Sequence, residues 1–356
     1  MSIKIGAACA LLSLVPLTSQ AMDLGTYKGV DLDLTLQVNR ALMYANDGSD
    51  SETFFVDGDN SSTRLSFQAE GELSDGVRVG GKFEVEYQSN PSNQVDFETK
   101  SIDAEIGERI MEAWVKSDRW GKVSLGQGAG AADGNMERDL SGTNIINWAN
   151  PTLIGGAIRF GGTGPKISST MSNLDFEGRY DRIRYDSPKF GPVVLSVSQG
   201  TKGTSDVSEA GARLEKKLSN GVRLRGALGY SVEDTVAAAG NEKTVGGSFA
   251  VRLASGWNAG VAMGKSSDDN DSNPDSSFKS IKLGYMTGDH AVSLMYALAD
   301  DRSRDGDASK MLGIGYVYSP KKWMDVYAGY KVHSLDRAGA NYDDIKIATS
   351  GIRLKF

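Results

Sequence analysis

From Val30 onward the chain alternates. Val30, Leu32, Leu34, Leu36 and Val38 are interleaved with Asp31, Asp33, Thr35 and Gln37. A two-residue period sends one set of side chains to each face of an extended backbone, so the pattern predicts a strand with one apolar and one polar side. The same alternation returns in Leu65, Phe67 and Ala69 against Arg64, Ser66, Gln68 and Glu70, and in Val77, Val79, Phe83, Val85 and Tyr87 against Arg78, Lys82, Glu84 and Glu86. It is present again near the end, where Met324, Val326, Tyr330 and Val332 alternate with Asp325 and Lys331. Sixteen such strands are expected, at about 29–44, 63–72, 77–88, 108–116, 121–127, 179–187, 192–199, 206–218, 221–233, 243–253, 257–265, 277–285, 290–299, 309–318, 323–333 and 345–356.

The connections alternate in length. Short ones such as Ser74-Asp75-Gly76, Ser219-Asn220-Gly221 and Ser319-Pro320-Lys321-Lys322 carry the residues that tight turns need. The intervening ones are longer, polar and acidic, for example NDGSDSETFFVDGDN after Ala45 and SSDDNDSNPDSS after Lys265. Short turns on one side and long loops on the other is the stringing of an up-and-down outer-membrane barrel.

Three features favour lipid outside and water inside. Arg78, Lys82, Glu84, Arg223, Arg225 and Arg252 are charges in mid-strand, which a packed core would not hold unpaired. Aromatic residues such as Tyr44, Trp120, Trp257, Tyr285 and Trp323 gather toward strand ends, where interfacial girdles sit. Many of the strands also approach the length of a tilted membrane crossing, and sixteen of them enclose an aqueous channel. The expected fold is all-β, a transmembrane antiparallel barrel.

Composition narrows the function. The 356 residues include 43 Gly, 8 Pro, 2 His and 1 Cys, with 39 Lys+Arg against 46 Asp+Glu. A net charge of −7 argues against a nucleic-acid partner, and two histidines leave little for a metal site or acid/base chemistry. No cofactor, metal or catalytic residue is expected. Residues 1–21 read as a secretory signal peptide, with Lys4, an apolar run and Ser19-Gln20-Ala21 before the cleavage point. The only cysteine, Cys9, lies within that run. Residues 22–356 would then form a single barrel domain.

Several segments resemble the general diffusion porins of Gram-negative outer membranes. Ser62-Thr63-Arg64-Leu65-Ser66-Phe67, Glu70 to Gly76 and Phe83-Glu84-Val85-Glu86 are similar to one hairpin of that family. Arg109 to Val115 followed by Trp120 to Gln127 resembles the next hairpin, and Arg182 to Pro188 the strand that follows the third loop. The terminal Gly351-Ile352-Arg353-Leu354-Lys355-Phe356 resembles the family's assembly signal. Gln127 departs from the pattern, which has arginine there; this puts an anion preference in doubt.

The resemblance implies a homotrimer in the outer membrane, surrounded by lipid and lipopolysaccharide, passing small hydrophilic solutes and ions. It also implies that the longest connection, 128–178, folds inward as the third loop and narrows the pore. A loop of that length is generally functional. Its acids Asp133, Glu137 and Asp139 would face a basic wall of Arg64, Arg78, Lys82, Arg182 and Arg184. Ile145, Ile146, Trp148, Leu153 and Ile154 would pin it. Acids would concentrate in the loops and bases on the wall, setting a transverse field across the opening. A channel selective for sugars or anions is the alternative; an outer-membrane enzyme is a further one, disfavoured because no Ser is set in a G-x-S-x-G motif.

Overall fold

The computed structural model describes residues 22–235, 240–269 and 274–356. The expected signal peptide and part of the Asp-rich stretch 268–275 lie outside the described residues. Eighteen strands are present among the described residues: β1 (Met22–Tyr27), β2 (Val30–Asn46), β3 (Ser51–Asp57), β4 (Arg64–Ser74), β5 (Val77–Gln88), β6 (Glu105–Ser117), β7 (Gly121–Ala129), β8 (Arg179–Asp186) and β9 (Val193–Lys202). The rest are β10 (Ser205–Lys217), β11 (Arg223–Thr235), β12 (Gly240–Arg252), β13 (Trp257–Asp268), β14 (Ser276–Thr287), β15 (His290–Asp300), β16 (Ala308–Lys321), β17 (Met324–Asp336) and β18 (Ile345–Lys355).

Sixteen of these close into one antiparallel ring, all of them expected from the alternation. The ring runs from β2 to β4 and then through every strand to β18, which returns to β2 with Lys346 opposite Asn46 and Lys355 opposite Gln37. The two additional strands decorate β2. Its first half pairs with β4 and its second half with β3, while β1 forms a short hairpin beside Val30–Leu34. The connection read as the loop NDGSDSETFFVDGDN thus contains a strand. The stretch Thr53-Phe54-Phe55-Val56 extends the sheet beyond the main ring because Phe54 is buried against Phe97, with ring centroids 6.1 Å apart.

The two faces differ as the alternation requires. Leu283, Leu294, Ile314, Tyr316 and Val261 are exposed on one face, while Lys282, Ser293, Val317 and Ala262 are buried on the other. The outer face is therefore apolar, and backbone pairing around the closed ring leaves no open edge to satisfy in lipid. Short turns tighten the other end. Gly256 has φ +98, and a Cβ there would stand 2.0 Å from the Met286 carbonyl, so only glycine fits the β12–β13 turn.

The inner face is not uniformly polar. On β15 it reads Ala291, Ser293, Met295, Ala297 and Ala299, all buried. Two apolar clusters explain this. One joins Ile145, Ile146, Ile154, Ile158, Phe160 and Ile167 of the segment 130–178 to Met43, Phe54, Val56, Tyr327, Ile345 and Ile347. The other joins Met136, Met171 and Leu174 to Phe278, Met295, Ala297 and Met311. Burying an isoleucine side chain contributes about 1.5–3 kcal/mol, so these contacts hold the segment firmly against the wall.

Candidate functional site

The segment between β7 and β8 is largely irregular, with one turn of 3-10 helix at Pro151–Leu153 and four α-helical residues at Ile167–Thr170. Its backbone polar groups are satisfied by wall side chains. The Ala131 N–H donates to Ser198 Oγ at 2.8 Å, the Arg138 N–H to Ser248 Oγ at 2.9 Å, and Ser248 Oγ to the Asn135 carbonyl at 2.6 Å. Glu209 on β10 ties the two ends of the segment together, accepting from the N–H of Ala132 at 2.9 Å and of Glu177 at 3.2 Å.

Four basic side chains on the far wall complete the attachment. Lys282 of β14 is 2.5 Å from Asp139 Oδ2 and donates to the Asn147 carbonyl at 2.5 Å. Lys331 of β17 donates to the Pro151 carbonyl at 3.1 Å. Arg213 of β10 donates to Asn135 Oδ1 at 2.7 Å and to the Asp133 carbonyl at 2.5 Å, and Arg225 of β11 reaches the Asp139 carbonyl at 3.4 Å. Close approach is permitted by glycines. A Cβ on Gly329 would lie 2.5 Å from Ile146 Cγ1, and one on Gly315 2.8 Å from Ile146 Cγ2.

Opposite this attachment, β4 to β8 carry a ladder of paired charges. Glu84 accepts from Lys82 at 2.8 Å and Arg109 at 2.9 Å, and Arg109 also reaches Glu86 at 2.8 Å. Glu70 pairs with Arg78 at 2.9 Å and Lys116 at 2.5 Å, and Glu112 with Arg182 and, at 3.5 Å, Lys122. The expected segregation of bases on the wall and acids in loops therefore does not hold. Wall carboxylates sit between the wall cations because a half-buried like-charge row would repel itself.

The expected wall residues fall into three groups. Arg64 and Lys82 belong together around Glu84, with Arg109 beside them. Arg78 lies next to the short β4–β5 turn, pairs with Glu70 and has a side chain 54% exposed. Arg182 and Arg184 are buried at the root of the segment. Arg182 donates to the carbonyls of Gly126 and Ala129 at 2.7 and 3.0 Å, while Arg184 donates to the Gly130 carbonyl at 2.7 Å and pairs with Asp186 at 2.7 Å. Gln127 pairs in register with Met111 and Asp181, on the outer-face side of the sheet, so its identity removes no rung from the inner wall.

Of the segment's acids, Asp139 is committed to Lys282. Burial opposes its charge, yet the Lys282 ammonium and the Ser141 hydrogen bonds hold its carboxyl below the usual range. Glu137 accepts from Asn173 at 2.8 Å; burial, reinforced by Asp133, pushes its carboxyl up to about 7. Asp175 is raised by burial and by its neighbours Glu137 and Asp133, while accepting the N–H groups of Gly134 and Met136 at 2.8 and 2.9 Å. Ile145, Ile146 and Ile154 pin the segment as expected. Arg109, Glu112, Glu209, Arg213 and Lys282 are further residues of the site that the sequence reading did not name as such. Strand parity places Glu112, Glu209, Arg213 and Lys282 on the inner face, but their partners are invisible to parity, and Arg109 turns inward only because of a bulge in the β5–β6 register.

A closed sixteen-strand antiparallel barrel with an apolar outside and a charged inside defines an outer-membrane channel protein. Residues 7–338 match the model of the Gram-negative porin family, and the chain belongs to that family. No curated protein sequence matches it significantly. Among solved structures it is similar to the anion-selective porin from Comamonas acidovorans, at 16% identity and TM-score 0.67, over 92% of this chain and 100% of that one. It also resembles OmpT of Vibrio cholerae (15%, TM-score 0.60, 94% and 99% covered) and Salmonella typhi OmpF (14%, TM-score 0.61, 94% and 100% covered). These identities establish a shared fold.

Proposed function

We propose that the protein is a passive diffusion channel for small hydrophilic solutes and ions, whose narrowest section lies between the segment 130–178 and the β4–β8 wall. The observation that carries this is the attachment of the segment to the inner faces of β9–β17, which leaves the charged ladder of β4–β6 facing it. Arg64 and Lys82 on one side and Asp133 and Glu137 on the other would meet the passing solute. Arg182, Arg184 and Asp139 would shape the opening by holding the segment. Arg78 would act nearer the short-turn mouth. Because cations and carboxylates alternate on the wall, the channel would discriminate weakly by charge and mainly by size.

No chemical step is assigned to it, and the barrel would work as a homotrimer. One Vibrio cholerae relative is described in a trimer form, which supports that assembly. Residues 1–21 would direct export. The test is single-channel recording in planar bilayers, with reversal potentials in a salt gradient. Stepwise conductance with a modest reversal potential supports the reading; absence of conductance steps, or saturable block by one sugar or anion, would overturn it in favour of no channel or a selective one.

A further inference from the structure

The outer face carries an ordered row of cations. Lys265, Lys279 and Lys310 occupy the outward position one step in from the long-connection end of β13, β14 and β16, and Lys346 the first outward position of β18, all exposed. Register aligns them. Lys265 lies opposite Ser277, Lys279 opposite Met263, Leu298 separates Lys279 from Lys310, and Lys346 faces Val332, two residues along its strand from Ser334, which lies opposite Lys310. A fifth, Lys243 on β12, is held by Asp269 at 2.7 Å. The other four have no ion pair among the described residues; Asp300 and Asp336 lie one outward position further from the apolar band.

Height in the membrane is the second observation. Eight residues separate Lys265 from Trp257 and Lys310 from Tyr318, aromatic positions at the short-turn end. At about 3.3 Å per residue and a tilt near 40°, that span crosses about 20 Å, close to the apolar band of an outer-membrane barrel. The ammonium groups therefore stand at the headgroup level of the leaflet on the long-loop side. On β7 to β10 the outward positions one step in from that end are Gln127, Asp181, Gln199 and Ser208, none of them a cation, although Arg179 at the end of β8 is exposed. The cationic row occupies one arc of the barrel and is not a general property of its rim.

We propose that Lys265, Lys279, Lys310 and Lys346 form a docking row for the phosphate groups of a phosphorylated glycolipid in the outer leaflet, and that the β12–β18 arc is the lipid-facing side of the barrel. Charge complementarity selects the occupant: a phosphate at headgroup depth meets unpaired ammonium groups, while acyl chains below meet Val261, Ile281, Leu312 and Ile314. The proposal deepens the expected lipopolysaccharide partner and rests on outer-membrane placement, not on conduction.

The test uses the full barrel purified in detergent, offered bisphosphorylated lipid A, its dephosphorylated counterpart, phosphatidylglycerol or inorganic phosphate, with bound lipid counted by native mass spectrometry. The wild-type protein should retain the bisphosphorylated form in preference to the other three. The K265Q/K279Q/K310Q/K346Q variant should retain it at least about tenfold more weakly, with single-channel conductance unchanged as the control for folding. Equal retention by variant and wild type, equal retention of the dephosphorylated lipid, or dissociation of the variant's oligomer with lipid retention intact would each overturn the proposal, the last by making the row a subunit contact.

Discussion

The Lys282 ammonium stands 2.5 Å from the Asp139 carboxylate, and each side chain is only 8% exposed. This pair joins the irregular inner segment to the middle of β14. An ion pair so enclosed contributes little compared with an apolar pair, but removing one partner strands a buried charge. Lys282→Met should weaken attachment of the segment by about 3–5 kcal/mol, seen as a lower unfolding temperature and a noisier conductance. Adding Asp139→Leu should recover most of the loss. If the double variant is no better than the single one, the pair does not act as a unit.

Backbone proximity gives an independent handle on the same segment. Gly329→Ala would place a methyl 2.5 Å from Ile146 Cγ1 and 3.0 Å from the Ile314 carbonyl. Overpacking of this kind costs about 1–3 kcal/mol. Conductance should change with the displaced segment, and Ile146→Ala in the same chain should restore it toward the wild-type level.

Glu137 supplies the pH dependence. Burial raises its carboxyl from 4.5 to about 7, with Asp133 adding to the effect. A raised acid stabilises the folded form fully below its unfolded value, and that contribution is lost as pH climbs from about 4.5 through 7. In the same window the segment gains negative charge. Reversal potentials should therefore move toward cation preference between pH 5 and pH 8, and Glu137→Gln should flatten the change near its low-pH limit.

Arg64 and Arg184 should respond differently although both face inward. Arg64 lies beside Arg109 and Glu84 on the open ladder, so Arg64→Gln should shift the reversal potential toward cations while leaving stability nearly unchanged. Arg184 is spent on the Gly130 carbonyl and Asp186, so Arg184→Gln should cost about 3 kcal/mol in a denaturation experiment. Equal stability losses in the two variants would contradict this division.

The ring was legible in the chain because period-two alternation is a local signal. Leu32 with Asp33, or Val326 with Asp325, carries it without knowledge of any distant residue. Strand β3 escaped because Ser51 to Asp57 is short, acidic at both ends and stabilised by the packing of Phe54 on Phe97, forty-three positions away. The inner site was legible in parts. Ile146 and Ile154 announced a buried face in an otherwise polar stretch, but which strands received Ile146 depended on Gly315 and Gly329, whose role appears only when the segment is in place. Charge pairing was the least legible, since Glu84 and Arg109 are brought together by a bulge in the β5–β6 register that no sequence spacing records.

The seam between β18 and β2 has as many registered residue pairs as the β17–β18 junction beside it, and Leu36 and Phe356 exchange both backbone hydrogen bonds at 2.8 Å. Mechanically the barrel is therefore a hoop without a clasp. Lateral pressure from the surrounding bilayer is shared as tension around the whole girth, and the seam that closes the ring is no weaker than the junction beside it.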